Sequence, residues 1–247
     1  MRLAKNHSAA WLFPLFLWSV CGHWPCAAYA NETLTNASAV LSLSASEALS
    51  NIPVVVKGVV TAAETNNNWR GSFFVQDSSG GVFVVNRSSQ QPRPGDVVEV
   101  YGVSHPGGYA PVITKPHWKK LGTAPLPEAR PVTAERLMSG AEDSQRVEIS
   151  GIVRTAQFST DTIGIELVSG GFRFRAFFPI VPNLDPQSLV GAKVLLKGTA
   201  AAAFNAPLRH FLTVTLFIPQ LADFLIEEPA PANVFDSPTM PLNGIAQ

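Results

Sequence analysis

From residue 52 onward the chain is a succession of short runs of β-branched and aromatic residues, punctuated by glycine, proline and aspartate. Val54–Thr61 is the first run. Ser72–Gln76 and Val82–Val85 flank the polar turn Asp77-Ser78-Ser79-Gly80-Gly81, the pattern of a β-hairpin. The turn signal Pro94-Gly95-Asp96 precedes Val97–Val103, and Ala110–Trp118 is a fifth run. Strand alternation with Phe73, Val75, Val82 and Val84 inward leaves Phe74, Gln76 and Phe83 outward. In the fourth run, Val98 and Val100 inward leaves Val97, Glu99 and Tyr101 outward. A register error of one residue would send these phenylalanines into the core instead.

The plan then repeats. Val147–Val153 mirrors the first run, Ile163–Ser169 and Phe172–Phe178 mirror the hairpin, and Gly191–Gly198 mirrors Gly95–Gly102, with Phe211–Ile218 as the last strand. Gly151 follows Gly58 by 93 residues, and Gly191 and Gly198 follow Gly95 and Gly102 by 96, which points to internal duplication. Strand, hairpin, connection and two further strands make the order of a five-stranded Greek-key barrel, the OB-fold, with glycines at the sharp bends. The chain is therefore expected to be all-β, with two tandem OB-like barrels and short linking helices. The first barrel should occupy residues 52–121 and the second 145–226. Between them, 122–144 should be a linker with a short helix at Thr133–Met138 that ends near Gly140.

The ends have a different character. Arg2 and Lys5, the apolar stretch Trp11–Val20 and Ala28-Tyr29-Ala30 form a signal-peptide pattern over residues 1–30. An uncleaved membrane anchor is the alternative, which His23 and two prolines oppose; a lipobox before Cys21 or Cys26 is poor. Residues 31–51 read as a loose tail ending in a short helix with Ser44 or Ser46 as its cap. Residues 227–247 read as a Pro- and Ala-rich linker toward a further unit, so a fragment of a longer protein is expected. Export predicts a periplasmic or extracellular module.

Charge narrows the partners. Removing Arg2 and Lys5 takes the 18 basic residues to 16 against 18 acidic ones, a formal net charge of −2. That is not the broad positive field of a dedicated nucleic-acid binder. Both cysteines lie in the leader, the later histidines are only His105, His117 and His210, and no metal-binding, nucleophile-elbow or phosphate-loop motif occurs. No catalysis, metal or cofactor is expected, and turn chemistry accounts for Asp77-Ser78.

Binding is the remaining chemistry. OB barrels bind through the outer face of strands 2 and 3 and the loops joining strands 1–2 and 4–5. On the first barrel that selects Asn68, Trp69, Arg70, Phe74, Gln76, Phe83, Tyr101, His105 and Tyr109, aromatics and amides suited to stacking on a base or sugar ring. Packing, in the barrel or against a neighbour, is the competing account of Phe74 and Phe83. On the second barrel, Phe172 and Phe174 inward leaves Arg173 and Arg175 outward beside Glu166. Those arginines could meet a phosphate or an acidic partner, or form solvated charge pairs. Arg209-His210 closes the second 4–5 loop. Trp118 is expected to plug the first barrel's end.

Both units resemble the tandem OB modules found outside the membrane at the N-termini of some large bacterial sensor histidine kinases. The residues that carry the resemblance are Val56–Thr61, Phe73–Asp77 with Gly80-Gly81-Val82, and Pro94–Gly102. The second unit matches more weakly at Ile149–Val153 and Gly191–Gly198 and lacks a counterpart of Asp77. The resemblance implies a sensory module that recognises a small molecule, glycan or protein, with any kinase and any membrane segment belonging to a longer parent. Single-stranded nucleic acid, as in the accessory module of a secreted nuclease, and a purely structural spacer are the alternatives.

Overall fold

A computed structural model describes residues 32–63 and 71–232. The leader, the 1–2 loop of the first barrel with Asn68, Trp69 and Arg70, and the closing linker from 233 lie outside the described residues.

The segment expected to be a loose tail is built into the first barrel. Helix α1 (Ala37–Leu41) is capped by Asn36, and α2 (Ala45–Ala48) by Ser44, whose side chain accepts from the Glu47 N–H while the Glu47 carboxylate reaches back to the Ser44 N–H. Ala37 and Val40 are fully buried against the barrel. Asp77 holds α1 in place. One carboxylate oxygen accepts from the N–H groups of Ser79 and Gly80 within its own turn, and the other accepts from the Ala37 N–H at 2.8 Å. Turn chemistry is thus half of Asp77's role.

The first barrel consists of β1 (Pro53–Ala63), β2 (Phe73–Gln76), β3 (Gly81–Val84), β4 (Asp96–His105) and β5 (Val112–Thr123). The order β1-β2-β3-β5-β4 closes when β4 pairs back onto β1, with β3 and β5 parallel. That is the OB topology. Phe73, Val75, Val82, Val84, Val98 and Val100 fill it, as alternation requires, and Trp118 packs edge-on against Phe73 at 6.2 Å. Strand β5 runs to Thr123, two residues past the expected boundary.

After β6 (Arg130–Pro131) and α3 (Ala134–Met138), the second barrel is formed by β7 (Arg146–Ser159), β8 (Thr162–Ser169), β9 (Phe172–Pro179), β10 (Lys193–Asn205), β11 (His210–Phe217) and β12 (Phe224–Glu228). The registers match between barrels. Val54 faces Gly102 and Gly58 faces Val98 in the first, while Val147 faces Gly198 and Gly151 faces Val194 in the second. One strand differs. Where β5 follows β4 along its whole length, the same edge of β10 is covered by β11 over Thr199–Asn205 and by β12 over Lys193–Leu196. The break falls at Pro219 and the 3-10 turn Leu221–Asp223, since proline cannot donate to the ladder. The barrel therefore ends at Glu228. Phe174 enters the core, but Phe172 does not: at the start of β9 it stays 37% exposed.

Candidate ligand cleft between the two barrels

The outward face of β2 and β3 meets the second barrel. Phe74 is only 3% exposed, although it lies outside the core of its own barrel. It packs with Ala62 and Phe83 on one side and with Ala201 and Phe217 of β10 and β11 on the other. Its ring lies 4.8 Å from Phe83 and 6.4 Å from Phe217, and Phe217 stacks in turn on Phe177 at 6.0 Å. Four rings thus run from one barrel to the other.

Polar contacts fasten the same junction. The Gln145 side chain accepts from the Gly81 N–H at 3.0 Å and donates to the Gly81 carbonyl at 3.3 Å, while the Gln76 side chain accepts from the Arg146 N–H at 3.0 Å. Each barrel lends a glutamine to the other's backbone. Gly81 is required because a Cβ there would lie 1.9 Å from the Ser144 carbonyl oxygen. Arg146 is itself buried, with its guanidinium on Asp223 at 2.7 Å and on the Pro127 carbonyl at 2.8 Å, so the linker is tied down as well. At the far end Arg209 donates to the carbonyls of Pro106, Gly107 and Tyr109 at 2.8, 2.8 and 2.9 Å. Arg209, which closes the second barrel's 4–5 loop, thus serves as a clasp on the first barrel's 4–5 loop.

Between clasp and glutamines a cleft of about 1470 Å³ opens. The first barrel contributes Phe74, Phe83, Asn86, Arg87, His105, Tyr109 and Lys115, the turn before β7 contributes Asp143, and the second barrel contributes Phe177, Ala203, Phe204, Thr215 and Phe217. The loop and the second barrel approach closely. A Cβ on Gly108 would sit 1.9 Å from the Phe204 ring. Tyr109 packs on Phe211 at 5.7 Å.

Among the described residues Asp143 is the one carboxylate lining the cleft. One of its oxygens accepts from the Ala202 N–H at 2.7 Å, and burial pushes its carboxyl above the usual aspartate range. Burial and then the charge of Asp143 raise the Tyr109 phenol. The Nδ1 of His105 accepts from the Gly107 N–H at 3.1 Å, leaving Nε2 to present the other face of the ring. Among the described residues no group of three or more His, Cys, Asp or Glu is placed to hold a metal.

Of the residues selected from sequence, Phe74, Phe83, His105 and Tyr109 come together in this cleft. Gln76 does not line it and is spent on docking. Tyr101 also lies outside it: it is 40% exposed, donates its hydroxyl to Glu99, and that bond raises its phenol. Arg173 and Arg175 stay on the open outer face of β9, with Arg173 at 3.4 Å from Glu166. Alternation could have found Phe177 and Phe217, since Phe178 and Leu216 point inward beside them. Asp143, Arg87 and Lys115 carried no sequence signal of their own.

No family model and no curated protein matches the chain. Among solved structures, it is similar to an aspartyl-tRNA synthetase from Entamoeba histolytica at 11% identity and a TM-score of 0.32, covering 43% of this chain and 23% of that one. A putative aspartyl-tRNA synthetase from Leishmania major gives 9% identity and 0.33, covering 46% and 24%. A murine DNA-binding protein bound to double-stranded DNA gives 11% and 0.32, covering 72% and 99%. The chain thus spans about a quarter of the length of the two synthetases it matches. At this level of likeness, the fold rests on the strand order of the chain itself.

Proposed function

We propose that the chain is a non-catalytic binding module whose ligand seats in the inter-barrel cleft, and that it serves as the exported sensory part of a signalling protein like the sensor kinases its sequence resembles. One observation carries the reading. The face and 4–5 loop that an OB barrel ordinarily presents to a ligand form one wall of a cleft, and the second barrel supplies the other. A ligand that touches both walls has a different affinity for each arrangement of the barrels, and so favours one of them. The kinase and the membrane segment belong to the inferred parent chain.

The test pairs the wild-type protein with Ala203→Trp, which places an indole in the cleft. Small organic and glycan ligands found by thermal shift should lose their effect in the variant. They should also change spin-label distances between Lys57→Cys and Arg173→Cys. Ligands that bind both proteins alike, or leave the distances unchanged, overturn the reading.

Single-stranded nucleic-acid binding has one observation in its favour, the exposed Arg173 and Arg175 on the face of β9. Steeply salt-dependent binding of a mixed-sequence oligonucleotide that survives Ala203→Trp and is lost in Arg173→Ala/Arg175→Ala selects it.

A further inference from the structure

We infer that the cleft selects a small organic anion built on a flat ring, its ring against the aromatic wall and its acid group toward Lys115 and Arg87. The inference rests on the cleft being the ligand site. Its wall is aromatic from both sides, with half-buried Tyr109 from the first barrel and half-buried Phe177 and exposed Phe204 from the second. Such faces favour flat rings.

The charge at the rim is one-sided. Arg87, directly beyond β3, and Lys115, in β5, are exposed, line the cleft and form no ion pair among the described residues. Arg209 is already committed to three carbonyls. Among the described residues the only carboxylate lining the cleft, Asp143, is turned into backbone and burial, with Ala202 and Ser144 as partners. Two cations with no counter-charge among the described residues, beside an apolar wall, call for an anion that carries apolar surface.

Lys115 is also held at a cost. Pairing passes from Tyr101↔His117 to Val103↔Thr114, so Lys115 and Pro116 bulge out opposite Gly102. Lys115 adopts a left-handed φ of 51°, unfavourable for a lysine and restricted further by the proline after it. Gly102 has no Cβ to obstruct the bulge, since one would lie 2.6 Å from Ile113 and 2.8 Å from the Thr114 carbonyl oxygen. Bulges re-aim side chains at sites, and strain of this kind persists where the side chain has a task. Here the task is to bring an ammonium to the rim.

Two probes share one ring system. 8-Anilinonaphthalene-1-sulfonate carries an anionic group and N-phenyl-1-naphthylamine does not. Wild-type protein should bind the sulfonate with one-to-one stoichiometry and prefer it over the neutral amine by about 10-fold, the scale of two exposed charge contacts. Arg87→Gln/Lys115→Gln should bring the two affinities together without changing that of the neutral probe. Lys115→Gly should raise the melting temperature by relieving the backbone, and still lower the preference. Ala203→Trp should remove both probes. Equal wild-type affinities, or a preference that survives the double substitution, overturn the anion inference and leave the cleft as ligand site. Probe binding that persists in Ala203→Trp, or no binding at all, overturns both.

Discussion

The stacking of Phe74 on Phe217 gives the sharpest test of how the barrels are joined. Phe74 is almost wholly buried, and among the described residues it packs against Ala62 and Phe83 from its own barrel and Ala201 and Phe217 from the other. Replacing a buried phenylalanine by alanine costs about 3–5 kcal/mol. Because Ala201 and Phe217 lie across the junction, about 2 kcal/mol of that is expected to belong to barrel–barrel docking. Phe217 is half-buried. A smaller loss, about 2 kcal/mol, is expected for Phe217→Ala. Ring centroids 6.4 Å apart at 28° are within range of a direct aromatic interaction. The double variant should therefore fall short of the summed losses by about 1 kcal/mol. Urea unfolding measures the cycle. Within residues 31–247 the only tryptophans are Trp69 and Trp118, so fluorescence reports the first barrel while far-UV circular dichroism reports both. Losses that add to within about 0.3 kcal/mol would mean the two rings do not interact. A loss below about 1 kcal/mol for Phe74→Ala would mean that its face is open, as a stacking site for ligand requires.

Three further outcomes follow from single contacts. Gly81→Ala should undock the barrels, because its methyl meets the Ser144 backbone; spin-label distances across the junction should broaden while each barrel keeps its circular dichroism. Glu142 is fully buried between Arg130 and Arg136, whose side chains are more than half exposed. Glu142→Gln frees two cations that water can reach and should cost about 1 kcal/mol, whereas Arg130→Ala/Arg136→Ala strands the carboxylate and should cost about 3–5 kcal/mol in chemical denaturation. Asp143 has its folded pKa raised by burial, so the folded state holds its proton more tightly and this group lowers stability as pH rises from the unfolded value through the folded one. Asp143→Asn, which keeps an oxygen for the Ala202 N–H, should match wild type below about pH 3.9, the unfolded aspartate value, and exceed it at neutral pH in thermal melts.

The strands were legible because a half-buried sheet writes its geometry into period-two alternation. That pattern places Phe73, Val75, Val82 and Val84 in the core and the glycine pairs of the two barrels in matching register. It missed α1, whose five residues are too few to show a helical period, and β12, an exposed strand of Phe224–Glu228 running into prolines. It also left Phe74 as either a binding or a packing residue.

Sequence alone determined two barrels of one topology and which residues each turns outward, because those facts depend on neighbours two positions apart. What the outward residues meet was decided only in three dimensions. Gln145 finds Gly81 across 64 residues, and Arg209 finds the loop of Tyr109 across 100. A barrel's outer face has no periodic partner that could mark it for solvent, for ligand or for another barrel. Docking sealed Phe74, employed Gln76 and Arg209 as fasteners, and gathered Phe83, His105 and Tyr109 with Asp143 and Lys115, residues with no local pattern in common, around one cleft.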